Sequence, residues 1–171
     1  MHAPHDLKEF LSNTAIFGGL ADSTLSRIIS MIRVEHYEAK SVIVREGDRG
    51  TSMYVVRSGE LALYQQGKGS RPVRIARLFQ GECFGEMAIM DVQPRSATVV
   101  AETPTILYAL TNQDLYALYV EDMPGYVMLV QNLCRELCRR LRKADARITD
   151  IAGEANDETT QIRSRPKLVG D

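Results

Sequence analysis

Between about residues 34 and 110 the chain is a succession of short Val-, Ile- and Tyr-rich runs, each stopped by Gly, Asp or Ser. Val42–Val44 stops at Glu46-Gly47-Asp48, Met53–Val56 at Ser58-Gly59, and Leu61–Tyr64 in Gln65-Gln66-Gly67-Lys68-Gly69. Val73–Phe79, Ser96–Ala101 and Ile106–Leu110 follow in the same manner. Short runs of this composition between turn residues read as strands. Many such strands in sequence fold as a sandwich or a barrel-like roll.

Helical patterns flank the strand zone. Upstream, over residues 6–33, Leu25, Ile28, Ile29 and Ile32 fall at i, i+3, i+4 and i+7. Asp22 is placed to cap that helix, and Gly18-Gly19 punctuates the loop before it. Downstream, Asn112-Gln113-Asp114 opens a short helix ending near Tyr119, and Pro124 suits the first turn of a much longer one. From about Gly153 the chain is polar, with few large apolar residues, and reads as a flexible tail. The expected organisation is α+β: one domain over residues 6–152 and a tail over 153–171.

Bulk properties narrow the function classes. A chain of 171 residues can bury about two thirds of its unfolded surface and needs no staples. Its 21 basic and 22 acidic residues leave a net charge of −1, which argues against a generic nucleic-acid or membrane-surface protein. No apolar run approaches the roughly 18 residues of a membrane span. Met1–Asp6 lacks the basic and apolar regions of a secretory signal, so a cytoplasmic location is expected. Cys83, Cys134 and Cys138 are an odd count, and no His lies near the last two, so neither a disulfide framework nor zinc is indicated. All three read as small buried hydrophobes. His2, His5 and His36 are scattered and read as solvated.

The chemistry is concentrated in Gly81-Glu82-Cys83-Phe84-Gly85-Glu86-Met87-Ala88-Ile89-Met90 and in Pro94-Arg95-Ser96-Ala97-Thr98. Gly81 and Gly85 permit tight turns and close approach of backbone to a ligand. Glu86–Met90 is long enough for one helical turn, whose leading N–H groups suit an anion. Arg95, behind Pro94, can fork onto two phosphate oxygens, and Ser96 adds a hydroxyl. A carboxylate beside a phosphate is repelled unless it accepts a hydrogen bond from an adjoining hydroxyl. Glu86 therefore calls for a compact phosphate next to a sugar hydroxyl such as a ribose 2′-OH.

These segments resemble the phosphate-binding cassette of the cyclic nucleotide-binding domain family. That cassette runs Phe-Gly-Glu-Leu-Ala-Leu, a short gap, then Pro-Arg-Ala-Ala-Thr. Glu46-Gly47-Asp48, Met53-Tyr54-Val56 and Gly59 also resemble the family's strand signature, and the similarity spans roughly residues 10–145. The resemblance implies an antiparallel, jelly-roll-like β-roll with N-terminal helices, a short cassette helix and a long C-terminal lid helix. It implies a ligand, cAMP or alternatively cGMP, and no cofactor. Arg95 would bind the exocyclic phosphate oxygens, Glu86 the ribose 2′-OH, and the N–H groups of Gly85, Met87 and Ala88, with Ser96, the rest of the phosphate. The base would meet the lid helix, where Arg139, Arg142 and Asp145 are candidate contacts. Met87 and Ile89 replace other apolar residues, and Ser96 replaces the commoner Ala, which leaves the base open.

The rival readings are weaker. Arg95 and Glu86 could be a structural ion pair, and Glu46-Gly47-Asp48 reads as a turn. A metal-dependent roll needs clustered His and carboxylates, whereas the strand zone offers only His36. No Ser/His/Asp triad can be assembled there, so a binding module is expected rather than an enzyme. A degenerate fold serving as a protein-interaction module conflicts with the intact Glu86 and Arg95. Arg135, Arg139, Arg140, Arg142, Lys143 and Arg147 read as a solvated helix face. A nucleic-acid-associated regulator is disfavoured, because the roughly twenty polar residues after Ile151 cannot build a helix-turn-helix. The expected partners are the nucleotide, an unidentified effector protein, and a second copy through residues 126–151. There Tyr126, Val130, Leu133, Leu137, Leu141, Ala144, Ile148 and Ile151 form one apolar stripe with charged flanks.

Overall fold

Met53-Tyr54-Val55-Val56 is apolar at four successive positions because its strand is covered on both faces. The structure, a computed structural model, describes residues 4–67, 69 and 71–163. Strands β1 (Arg33–Tyr37), β3 (Ser52–Ser58), β6 (Cys83–Phe84) and β8 (Thr105–Thr111) form one antiparallel sheet in the order β1-β8-β3-β6. Strands β2 (Val42–Val44), β4 (Leu61–Gln66), β5 (Pro72–Leu78) and β7 (Thr98–Ala101) form the other, in the order β2-β7-β4-β5. Side chains alternate across each strand. From β3 and β8, Tyr54, Val56, Leu107 and Ala109 enter the core shared with Leu61, Leu78, Val99 and Ala101. Met53, Val55, Tyr108 and Leu110 point the other way, into a helical layer.

That layer is built from α1 (Pro4–Ser12), a 3₁₀ turn (Ala15–Phe17), α2 (Asp22–Met31), α4 (Asn112–Glu121) and the start of α5 (Met123–Arg163). Leu11, Phe17, Leu25, Ile28, Leu118, Leu129 and Leu133 fill it. Leu25 and Ile28 are buried as the period of α2 requires. Asp22, however, is the first residue of the helix rather than its cap: Ala21 stands at the cap position, and Asp22 pairs with Lys8 at 3.0 Å. Thr111 caps α4. Its hydroxyl accepts from the Asp114 N–H, and Asp114 accepts in return from the Thr111 N–H. Asn132 ties α5 to the 3₁₀ region by donating to the carbonyls of Ile16 and Gly18.

The chain divides into two compact units, Met1–Leu133 and Cys134–Asp171. Both sheets and both cores lie in the first. In the second, Glu136 accepts hydrogen bonds from Arg139 and Arg140. Cys83 is buried as expected, but Cys134 and Cys138 are exposed, which corrects the expectation for those two. They lie off the buried Leu129 and Leu133 positions of α5, and the period alone does not say which stripe is covered. The helix continues to Arg163, past Gly153, where the tail was expected to begin. That stretch contains no proline to stop it. The last eight residues, 164–171, lie outside the described residues.

Asp122 caps α5. It accepts from the Gly125 N–H at 3.0 Å and from the Thr24 hydroxyl at 2.5 Å, and these bonds hold its carboxyl below the usual range. Asp122→Ala is expected to cost about 1–2 kcal/mol, in line with a lost cap. A depressed folded-state pKa stabilises only above the unfolded value of about 4, and that contribution is lost as the pH falls through the folded value. In urea denaturation the gap between wild type and variant should therefore be full at pH 7 and narrow toward pH 3. A gap independent of pH would show that the carboxylate charge is not what the cap uses.

Candidate functional site

Cys83-Phe84 form only a two-residue strand, β6, paired with Tyr54 and Val55 of β3. The pairing ends because Gly85 turns the chain with φ +80°, in the left-handed region. Gly85 is the cap residue of α3 (Glu86–Met90), the expected helical turn. Arg95 stands at the other end of the loop, and the 46–50 turn clamps its backbone. The Arg95 N–H donates to the Asp48 carbonyl at 2.8 Å, and the Gly47 N–H to the Arg95 carbonyl at 2.9 Å. Arg49 and Pro94 form an isolated antiparallel bridge beside them. The Glu46-Gly47-Asp48 turn is thus a brace for Arg95.

The clamp sinks two opposite charges in one loop: Glu86 is 2% and Arg95 7% exposed. Arg95 Nη1 donates to the Gly85 carbonyl at 3.1 Å. A Cβ on Gly85 would lie 2.4 Å from that Nη1 and 2.8 Å from the Ser52 carbonyl oxygen, which is backbone, so glycine is required by space as well as by dihedral. Burial pushes the Arg95 pKa down, and Tyr54, Glu86 and Asp48 oppose the shift. Ala88 is buried at the base of α3, Met87 is 45% exposed, and Ser96 is exposed. The Ser96 carbonyl accepts from Gln65 Nε2 at 2.8 Å, which ties the loop to β4. β7 begins at Thr98, two residues later than expected, and residues 94–96 belong to the loop.

Gly85, Glu86, Ala88 and Arg95 therefore come together in the first unit, with Met87 and Ser96 at its surface. Arg139, Arg142 and Asp145 are exposed residues of the second unit. Gly50 and Tyr54, which sequence reasoning passed over as site residues, contact Arg95 directly. In the sequence Tyr54 stands only as part of a strand signature, with nothing local to mark its approach to Arg95. Among the described residues no three His, Cys, Asp or Glu side chains are grouped so as to hold a metal ion. No helix among them is long and apolar enough to cross a membrane. A buried cation and a buried acceptor at the start of a helical turn suit an anion that carries a neighbouring hydroxyl.

Comparison with known proteins agrees with this geometry. A family model described as "Cyclic nucleotide-binding domain" matches residues 34–122. The chain is 34% identical over 144 residues to a cyclic AMP receptor protein of Thermus thermophilus, covering 84% of this chain and 65% of that protein. It is 28% identical over 115 residues to the cGMP-dependent protein kinase egl-4 of Caenorhabditis briggsae, covering 67% of this chain and 15% of the kinase. The chain thus spans less than two thirds of the length of either relative. A crystal structure of a cyclic nucleotide-binding domain from Methylobacillus flagellatus shares the fold. Its TM-score is 0.77 at 22% identity, covering 96% of this chain and 86% of that one.

Proposed function

Because this chain belongs to the cyclic nucleotide-binding domain family, we propose that it is a sensor that takes up cyclic AMP, with cyclic GMP as the alternative, and passes the signal to an effector protein. The observation that carries the reading is the joint burial of Glu86 and Arg95 in one loop. A cyclic phosphate beside a ribose hydroxyl offers an anion to the guanidinium and a hydrogen-bond donor to the carboxylate, which matches the two charges in kind. In this reading Arg95 forks onto the exocyclic oxygens, and Glu86 accepts from the 2′-OH. The N–H groups of Gly85, Met87 and Ala88, with Ser96, complete the phosphate cradle. Arg139, Arg142 and Asp145 remain the candidate contacts for the base. Ile89 of α3 lines one groove with Leu115, Tyr126, Leu129 and Leu133, so a ligand that moves α3 pushes on the start of α5. The greater identity to the cyclic AMP receptor protein, 34% against 28% for the cGMP-dependent kinase, favours cyclic AMP.

Calorimetric titration with cyclic AMP, cyclic GMP and their linear monophosphates tests the reading. A cyclic nucleotide is expected to bind at least about tenfold more tightly than its linear form, whose extra charge a single guanidinium leaves uncompensated. Absence of binding for both cyclic nucleotides at millimolar concentration would overturn it. Glu86→Gln separates the two roles in the cradle. It should weaken ribonucleotide binding by roughly three- to tenfold, as loss of a charged acceptor does. With the 2′-deoxy nucleotide most of that penalty should vanish, because the shared contact is already missing. Simple addition of the two losses would remove the 2′-OH from the role of Glu86.

A homodimer through α5, within residues 126–151, is the second part of the reading. Leu133 is 1% exposed and belongs to its own core, whereas Leu141, Ile148 and Ile151 are 61–67% exposed. An exposed apolar stripe at helical spacing with charged flanks is a helix–helix seam, and a second copy offers the same stripe.

A further inference from the structure

The Arg95 guanidinium is walled by groups outside the cassette segments, Gly50 and Tyr54. A Cβ on Gly50 would come 3.0 Å from both Cζ and Nε of Arg95, and 2.4 Å from the Ala88 Cβ. Backbone at residue 50 thus lies directly against the guanidinium, a closeness that only glycine allows. Arg95 Cζ also stands 5.8 Å from the centre of the Tyr54 ring. That ring is 8% exposed and stacked on Phe84, with centroids 4.9 Å apart and planes 19° from parallel. Tyr54 sits on β3, hydrogen-bonded on one side to β8 opposite Ala109 and on the other to β6 opposite Phe84. Its position is therefore set by the sheet, while Arg95 is held by a loop.

We propose that Tyr54 is a positioning residue for ligand binding: its ring face, with Gly50 as a further wall, holds the Arg95 guanidinium at the depth and angle from which it forks onto the ligand's anionic group. The inference rests on the cyclic nucleotide reading above and has Tyr54 act through Arg95. The physical basis is twofold. A long, four-torsion side chain loses rotamer freedom on binding unless it is already held, and pre-organisation removes that loss. A cation over a neutral aromatic face is attracted to it, the more so out of water. Burial raises the Tyr54 pKa, which keeps the ring neutral.

The test measures cyclic AMP affinity by calorimetry for Tyr54→Phe, Tyr54→Leu and Gly50→Ala, each with Arg95 present and in the Arg95→Ala background, after thermal melts confirm folding. With Arg95 present, Tyr54→Leu and Gly50→Ala should each weaken binding about tenfold, and Tyr54→Phe, which keeps the ring, less than about twofold. In the Arg95→Ala background Tyr54→Leu should change nothing further. A merely structural role for Tyr54 would give the same loss in both backgrounds and would overturn the inference. So would a Tyr54→Leu protein that binds like wild type, or a Tyr54→Phe protein as damaged as Tyr54→Leu. If Tyr54→Leu does not fold, Tyr54→Met, closer in volume, replaces it under the same criteria. Failure of the underlying reading looks different: Arg95→Ala would then bind like wild type, whatever Tyr54 does.

Discussion

If the proposed cradle is right, Arg95→Ala should lower cyclic AMP affinity by about two orders of magnitude or more and leave a cooperative thermal transition. Each charge-assisted hydrogen bond contributes about 1.5–3 kcal/mol, and removing one member of a buried charge pair costs about 2–5 kcal/mol. At about 1.4 kcal/mol per decade those values set the expected loss. The fold survives because the Arg95 backbone, not its side chain, closes the loop onto the 46–50 turn, through Asp48 and Gly47. Burial already works against this guanidinium, so its removal also lifts a desolvation cost. Arg95→Lys should recover part of the affinity only, since an ammonium cannot fork. Affinity within threefold of wild type in Arg95→Ala, by the same calorimetric titration, would end the cradle reading.

Ile148→Glu is expected to convert the proposed dimer to a monomer at micromolar concentration while leaving nucleotide affinity intact. Ile148 is 64% exposed in the single chain, among the most exposed of the large apolar side chains on α5. In a twofold seam the substitution acts twice. Each copy forfeits about 1.5–3 kcal/mol of apolar burial, so dimer dissociation should be favoured by at least about a hundredfold. Ile148 lies beyond the candidate base contacts Arg139, Arg142 and Asp145 along α5 and is not a cradle residue, which is why nucleotide affinity should be spared. Light scattering with and without cyclic AMP reads the outcome. A wild type that is monomeric in both conditions would take the seam out of the account.

What the sequence disclosed about the site follows from how local each feature is. Gly85, Glu86 and Arg95 lie within eleven positions, and the chemistry they need is written in that spacing. The brace at Asp48 and the walls at Gly50 and Tyr54 are more than forty residues upstream of Arg95. Their approach to Arg95 depends on β3 pairing with β6 and on the Arg49–Pro94 bridge. β6 was not legible as a strand because it is two residues long, too short for alternation to register. Cys134 and Cys138 were expected inside on side-chain character alone, yet they stand exposed on α5.

By itself the sequence determined that a strand-rich zone lies between helical segments, where the chain must turn, and which stretch brings a cation and a carboxylate together. These depend on backbone freedom at Gly and Pro and on side-chain period, which act over a few residues. Only the tertiary structure decided the order β1-β8-β3-β6, the partition of β3 between the helical layer and the space between the sheets, and the choice of Leu129 and Leu133 over Cys134 as the covered side of α5. The physical reason is that the hydrophobic effect is non-directional: it demands that apolar area be buried and does not specify against what. A period of two or of 3.6 defines faces, but the neighbour that covers each face comes from distant parts of the chain.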